Sequence, residues 1–379
     1  MRFSVDAHAI GRHLTGNEVY IRSLLTAFEA VDRESEFLAY LSEPEAADLV
    51  PARFGKRWVS SSPFVRLGFQ FAWQLRRDRP ALLHVQYTAP AGCPVPVVVS
   101  LHDVSFVEHP EYFTPARSLQ LRLTVRKTVK HAAKILTGSE FSRNAIARVY
   151  GLDPARISVV ANAAGSHYHP IAREAALAAV RQRFEIPSPF ILTVGDLQPR
   201  KNQVGLIRAF DDMLAAKPTL PHHLVLAGKE QFNASAVLRA VQRSPFADRI
   251  HLTGFVPDEV LPQLYNACEF FVFPSFYEGF GLPVLEAMAC GRAVACSNSS
   301  AVHEVADAAA LLFDPTSTEQ MARAMTDLAV ESELRARMER LGLQRAAQFS
   351  WKRTAQRTLE IYNEVAERPQ RAMTSAASL

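Results

Sequence analysis

Cysteine is scarce in this chain of 379 residues, with four in all: Cys93, Cys268, Cys290 and Cys296. None forms a C-x-x-C pair, so neither a disulfide framework nor a cysteine-held structural zinc site is expected. Reduced thiols fit a cytoplasmic protein. Long apolar runs are missing too: residues 94–101 and 270–273 fall far short of the ~20 residues that span a bilayer. The opening MRFSVDAHAIGRHLTG lacks a cationic start followed by an apolar stretch and a small-residue cleavage site, so no secretory signal is expected. No repeat with a period of about 20–50 residues is present beyond a general β/α alternation. With 48% hydrophobic and 21% charged residues, the composition excludes disorder, collagen and coiled coil.

What is there is globular sequence long enough for two domains at about 100–200 residues each. Residues 2–7, 82–86, 95–101, 133–138 and 157–161 read as strands. Residues 18–30 read as an amphipathic helix with Tyr20, Leu24, Leu25 and Phe28 on one side. Apolar runs flanked by helices predict parallel strands covered on both faces. The pattern then restarts, with strands at 190–194, 224–227, 250–252, 270–274 and 293–297 and helices at 204–216 and 258–268. Two successive series predict an α/β protein of two doubly wound domains, with ligand at the C-terminal strand ends between them. The break is placed where GSHYHPIA interrupts both periodicities. The expected organisation is a first domain at 1–167, a second at 168–350, a helix at 351–367 packing back on the first, and a frayed tail at 368–379.

Charge is uneven. Residues 1–169 hold 20 Lys+Arg against 15 Asp+Glu, and the remainder hold 22 against 23. The segment 117–134, RSLQLRLTVRKTVKHAAK, carries Arg117, Arg122, Arg126, Lys127, Lys130 and Lys134 without an acid, and Leu119, Leu123, Val125, Val129 and Ala132 interleave. It reads either as a core-packed helix with a solvated basic face or as one that lies on an anionic membrane. Nucleic acid is not an expected partner, since no recognised fold accompanies the patch. The aromatics of FVRLGFQFAWQLRR (Phe64, Phe69, Phe71, Trp73) are expected in the core rather than at an acceptor or lipid contact.

The most informative stretch is 269–297, EFFVFPSFYEGFGLPVLEAMACGRAVACS. A buried strand ends near Pro274, and the loop Glu278-Gly279-Phe280-Gly281 follows. A helix then starts at Leu282 with Pro283 in its first turn and stops before Gly291. Strand, glycine loop and helix N-terminus together suit an anion, because unpaired N–H groups and the positive end of the helix dipole point at it. Glu278 and Glu286 bracket that site. Carboxylates facing a diphosphate would repel it, so both are expected to face hydroxyl groups, as a nucleotide-sugar offers on either side of its diphosphate.

The spacing of Glu278 and Glu286, with seven residues between them in EGFGLPVLEAMACG, resembles the signature of the retaining family-4 glycosyltransferases, which adopt the GT-B fold. The likeness continues in order along nearly the whole chain. It takes in HDVSFVEHPEYF (102–113), GSEFSR (138–143), FILTVGDLQPRKNQVGLIRAF (190–210), LVLAG (224–228) and LTGFVPDEVLPQLYNACEFFVFPS (252–275). The resemblance implies two Rossmann-like domains facing each other across a cleft. It implies that Glu286 bonds the donor ribose and that Glu278 contacts the transferred sugar, with Gly279, Phe280, Gly281 and Leu282 nearby. Lys201 would neutralise the diphosphate, with Arg200 beside it, and the loop of Phe255 and Val256 would hold the nucleobase. From the first domain, His102 would reach the donor sugar and Gly16 would lie close to the phosphates. Glu278, His102 and Lys201 are the expected catalytic set. The chain departs from the family in having Asp196 where many relatives have a cation, Thr15-Gly16-Asn17 where they have a glycine pair, and Ala161-Asn162-Ala163 before the interdomain linker.

No Asp-x-Asp triplet occurs, so no metal and no cofactor is expected; Lys201 and the helix N-terminus would offset the leaving diphosphate instead. The resemblance implies a retaining, metal-independent hexosyltransferase in surface polysaccharide synthesis, acting on a glycan or lipid-linked acceptor. LTGNEVYIRSLL and GDLQPRKN look most like mannosyltransferase members, which favours GDP-mannose as donor, with UDP-glucose next. The expected location is cytoplasmic, open to contact with the membrane through 117–134. Two rivals stand beside this reading: a sugar-nucleotide epimerase of the same fold, and a catalytically silent nucleotide-sugar-binding subunit.

Overall fold

Apolar strands separated by helices form two all-parallel sheets in the computed structural model. The structure describes residues 1–12, 15–231 and 233–376, without the side chains of 15 and 368–376. The first sheet has seven strands: β1 (Arg2–Asp6), β2 (Glu36–Leu41), β3 (Gly55–Trp58), β4 (Leu82–Gln86), β5 (Val97–Ser100), β6 (Lys134–Thr137) and β7 (Ile157–Val159). Their order is β3-β2-β1-β4-β5-β6-β7. The second sheet has six: β8 (Phe190–Val194), β9 (His223–Ala227), β10 (Ile250–Gly254), β11 (Phe270–Phe273), β12 (Ala293–Ser297) and β13 (Leu311–Phe313), in the order β10-β9-β8-β11-β12-β13. The pattern read from sequence omits β2, β3 and β13. Strands β3 and β13 are sheet edges, short and with exposed or half-exposed residues, and edge strands lack the apolar run that marks a central one. Strand β2 carries such a run, residues 37–41, all buried.

The chain divides into two units: 1–108, 115–162 and 350–379 form one, and 109–114 with 163–349 form the other. The breaks fall at Asn162/Ala163 and Phe349/Ser350, where the sequence reading put them at 167/168 and 350/351. The last helix, Trp351–Ala376, belongs to the first unit. Its Ile361 and Tyr362 join the core of that unit together with Phe3 of β1, Leu24, Leu25 and Phe28 of helix Thr15–Val31, and Phe37 of β2. The expected frayed tail falls on side chains and, for 377–379, backbone outside the described residues. In the second unit, Leu206, Phe210 and Met213 of helix Gln203–Ala216 pack with Met321, Met325 and Leu328 of helix Thr318–Val330 against Phe270 and Val272 of β11.

Two helices differ from their expected bounds for local reasons. The one expected at 258–268 spans Leu261–Ala267, because Pro262 fits only a first turn. The basic helix spans Pro115–His131; Lys134 instead opens β6 and donates its ammonium to the Ala155 carbonyl at 2.9 Å. The aromatic segment also differs. Phe71 is core, but Phe64, Phe69 and Trp73 are exposed. Among the described residues no helix is long and apolar enough to cross a membrane.

Each sheet has a switch point where the strand order reverses, β1/β4 in the first and β8/β11 in the second. In open parallel sheets ligands bind beyond the carboxyl ends of the strands there. Pairing between β8 and β11 is limited to Ile191–Phe270 and Leu192–Phe271, so the ends beyond are not joined to each other.

Candidate active site

Beyond the ends of β8 and β11 stand Arg200, Lys201 and Glu278. After β8 the chain passes through Gly195, makes a single turn at Pro199–Lys201, and enters helix Gln203–Ala216 through Asn202 in the left-handed region (φ 54°). Buried Asn202 fixes this entry, donating its amide to the Pro274 carbonyl at 3.2 Å and the Pro315 carbonyl at 2.8 Å. The Phe276 N–H donates to the Arg200 carbonyl at 2.9 Å. The turn that bears Arg200 and Lys201 is thereby tied to the loop that bears Glu278.

The side chains of those three residues meet. Lys201 Nζ donates to Glu278 Oε1 at 2.7 Å, and Arg200 Nη1 donates to Glu278 Oε2 at 2.8 Å and to the Tyr277 carbonyl at 2.9 Å. The Lys201 ammonium also lies 5.0 Å over the Phe273 ring. All three side chains are mostly buried, with Glu278 at 10% exposure. Burial pushes the Glu278 carboxyl up, but Arg200 and Lys201 outweigh it and hold the pKa below the usual carboxylate value. Burial drives the Lys201 ammonium below its ordinary value, helped by the positive charge of Arg200 and opposed by Glu278. Both oxygens of Glu278 thus serve as counter-ion to the two cations, a pairing the sequence reading did not contain.

The rest of the loop is held by two serines after β12, at the start of helix Ser300–Ala306. The Glu278 N–H donates to Ser300 Oγ at 3.0 Å, and Ser299 Oγ donates to the Phe276 carbonyl at 3.0 Å. Gly279 and buried Phe280 lead to Gly281, whose φ of +113° a side chain would rarely adopt, and Leu282 begins helix Leu282–Ala289. Glu286 sits in that helix, buried, and accepts the Tyr265 hydroxyl at 2.8 Å. Burial raises its carboxyl to about 7, against the lowering effect of the Tyr265 hydrogen bond. Glu286 thus has a hydrogen-bond partner of its own and also feels the charge of Lys201.

Beyond β10, Phe255 is 46% exposed and Val256 is buried. Their loop starts at Gly254, whose carbonyl accepts the Gly228 N–H at 2.9 Å. A Cβ at Gly228 would fall 2.2 Å from the Gly195 carbonyl oxygen, so the ends of β8, β9 and β10 come together only around a glycine. Asp196 lies at this junction, its carboxyl raised by burial against the charges of Lys229 and Lys201.

His102 and Gly16 belong to the first unit. His102 follows β5, and its Nε2 lies 2.9 Å from Gln86 Oε1, while Gln86 Nε2 donates to the Asn17 carbonyl at 3.1 Å. The Tyr20 ring meets the imidazole edge-on at 4.6 Å. Burial lowers the His102 pKa to about 4, with Asp103 opposing, so the ring is neutral near pH 7 and acts as a hydrogen-bonding group. Gly16 is exposed in the first turn of helix Thr15–Val31, and among the described residues no atom beyond its chain neighbours and its own helix backbone lies within 4 Å of where a Cβ would stand. Beneath His102, His84 bonds Tyr362 and Ser100, and Ser100 bonds Tyr20. Sequence reasoning gave no role to Asn202 and Tyr265, although both lie in the family-like segments, and it missed Gln86, Ser299 and Ser300, single polar residues outside them. Among the described residues no group of three or more His, Cys, Asp or Glu is placed to hold a metal ion.

Two family models match the chain: "Glycosyltransferase Family 4" over 14–164 and "Glycosyl transferases group 1" over 179–345. The chain is 34% identical over 266 residues to O-antigen chain mannosyltransferase B of Escherichia coli, covering 70% of this chain and 69% of that one. It is also 34% identical over 222 residues to the serotype-specific mannosyltransferase WbdA of Escherichia coli, but spans only 27% of that protein's length. The fold matches Anabaena Alr3699/HepE, solved in complex with UDP-glucose, with a TM-score of 0.77, 19% identity and coverage of 96% of this chain and 99% of that one. The chain belongs to the group 1, family-4 glycosyltransferases, enzymes of the GT-B fold.

Proposed function

We propose that the chain is a retaining hexosyltransferase that moves mannose from GDP-mannose, or glucose from UDP-glucose as second choice, to a glycan or lipid-linked acceptor in surface polysaccharide synthesis. The observation that carries the donor site is the meeting of Lys201 and Arg200 on Glu278 at the β8/β11 switch point. Preference for mannose rests on the relatives named mannosyltransferases.

Two cations and one carboxylate leave the cluster with net positive charge. Fixed positive charge lowers the energy of a departing diphosphate, and more so out of water. A carboxylate has about four lone-pair sites, and Glu278 uses two of them on its cations, so it can still accept hydroxyl hydrogens of the donor sugar. Glu286 takes the ribose, the loop of Phe255 and Val256 the base, and Gly279, Phe280, Gly281 and Leu282 supply the helix N-terminus. The resemblance assigns His102 to the donor sugar and Gly16 to the phosphates; a neutral imidazole suits hydrogen bonding to a hydroxyl. Transfer breaks the bond between the anomeric carbon and the diphosphate oxygen, which keeps the electron pair. The acceptor oxygen bonds to that carbon from the same face, and its proton passes to the departing diphosphate. The cations do the neutralising, so no metal is required in this scheme. The enzyme works at the cytoplasmic face, where the basic helix Pro115–His131 meets anionic lipid.

The test is to incubate the purified chain with each nucleotide-sugar and a lipid-linked glycan extract, then read products by mass spectrometry and anomeric configuration by NMR. Addition of one hexose with the donor's configuration supports the reading. Inversion, or conversion of the nucleotide-sugar without any acceptor, contradicts it.

A further inference from the structure

The segment 63–78 buries Phe71 and Leu75 but exposes other large aromatics. Its charged Arg66 is buried at 4% exposure, while Phe64, Phe69 and Trp73 stand out at 84%, 68% and 59%. The backbone explains the alignment. Between a short α-turn at Pro63–Val65 and helix Phe71–Asp78 lies a π-helical turn, Arg66–Gln70, in which the Phe71 N–H reaches back five residues to the Arg66 carbonyl. A π-turn adds one residue to the α-helical register, so side chains five apart, such as Phe64 and Phe69, come nearer to one face, and Trp73 follows four residues on. An unbroken α-helix would carry Phe69 well around the helix from Phe64. A fourth exposed aromatic, Trp58 at 48%, is tied in, since Gln74 Nε2 donates to its carbonyl at 2.7 Å.

Four large aromatics exposed within residues 58–73 call for an apolar or interfacial partner. Charge says which. Residues 51–100 hold seven Lys+Arg and a single acid, Asp78, and exposed Arg76, Arg77 and Arg79 follow the aromatics directly. The loop 88–91 connects this segment to the basic helix: Ala91 N–H donates to the Leu67 carbonyl at 2.8 Å, Ala89 N–H to Thr128 Oγ1 at 2.9 Å, and Thr88 and Thr124 hydroxyls are 3.2 Å apart. On that helix Leu119 and Leu123 are exposed among Arg117, Arg122, Arg126, Lys127 and Lys130. Aromatics flanked by cations are the pattern that settles at a bilayer interface, rings at the headgroup boundary and cations on the phosphates.

We propose that the exposed Phe64, Phe69 and Trp73, on either side of the π-turn, form an anchor that inserts into the interface of an anionic bilayer, with Trp58 beside it. The anchor rests on the membrane contact proposed above for the basic helix and adds the part that enters the apolar region.

The test is co-sedimentation with vesicles of phosphatidylcholine alone and of phosphatidylcholine with phosphatidylglycerol, at low and high salt, without donor or acceptor. Wild-type chain is expected to bind the anionic vesicles at least tenfold more tightly than the neutral ones. A Phe64→Ser/Phe69→Ser/Trp73→Ser variant, folded by circular dichroism, is expected to lose at least tenfold in that affinity. In a Trp58→Phe background, lipids brominated near the headgroup are expected to quench Trp73. Absence of wild-type binding overturns both the anchor and the membrane contact of the helix. Anionic binding that survives the triple substitution, with Trp73 unquenched, overturns the anchor alone. A wild-type dimer that the triple variant converts to monomer, without vesicle binding, makes the face a contact between copies and also overturns it. Hexosyl transfer to a soluble acceptor is read separately and is expected to be unchanged in the triple variant.

Discussion

Tyr265 donates its hydroxyl to Glu286 at 2.8 Å, both are buried, and the carboxyl that results titrates at about 7. A group that holds its proton in the folded chain and releases it near 4.5 in the unfolded one favours folding below 4.5, and this advantage is lost as pH rises to about 7. His102 and His84, lowered by burial to about 4 and about 3, act in the opposite sense: their contribution is lost as pH falls below 6.5. The difference between wild type and Glu286→Gln therefore isolates Glu286. Melting temperatures from pH 4.5 to 7.5 are expected to show the variant gaining on wild type as pH rises, by the order of 3 kcal/mol in total. Parallel curves would contradict the raised carboxyl.

Glu286 should also report on the ribose, a part of the donor that does not change during transfer. An interaction equal in ground and transition states affects binding and not turnover. Glu286→Gln is expected to raise the donor KM with kcat little changed, measured with donor varied at saturating acceptor. A large fall in kcat would move Glu286 out of this role.

Glu278 should fail in a different way. It holds Lys201 and Arg200 and lies where the sugar is proposed to sit, so Glu278→Gln is expected to lower kcat at least tenfold. The same change removes negative charge beside the two cations, so affinity for the bare nucleoside diphosphate should hold or rise. Intact kcat, or nucleotide binding that weakens tenfold, would contradict the assignment.

The last helix is fastened to β4 by the hydrogen bond between Tyr362 and His84, both fully buried. Tyr362→Phe leaves that ring nitrogen without its partner, and an unmade buried hydrogen bond costs about 1–3 kcal/mol. Urea denaturation of the first unit's transition is expected to show a loss of that size. A loss below about 0.5 kcal/mol would mean that the bond is not formed.

The central strands were legible because parallel strands buried on both faces read as short apolar runs, as in β4, β8, β11 and β12. Edge strands β3 (GKRW) and β13 (LLF) carry no such run. Glu278 and Lys201 were legible as residues but their pairing was not, since it depends on how Asn202 and the Phe276 N–H join two loops that lie 77 positions apart in the chain. Phe64, Phe69 and Trp73 looked like core because aromatics usually are. A π-turn has no residue signature that would have shown them facing out.

The most direct measurement is calorimetric titration of GDP-mannose, with and without EDTA, into wild type and Lys201→Ala. Losing one charge-assisted hydrogen bond costs about 1.5–3 kcal/mol, so the variant is expected to bind roughly 10- to 150-fold more weakly, with EDTA making no difference to either protein. Equal affinity in the two proteins, or wild-type binding that EDTA abolishes and magnesium restores, would contradict a donor site in which Lys201 and Arg200 neutralise the diphosphate.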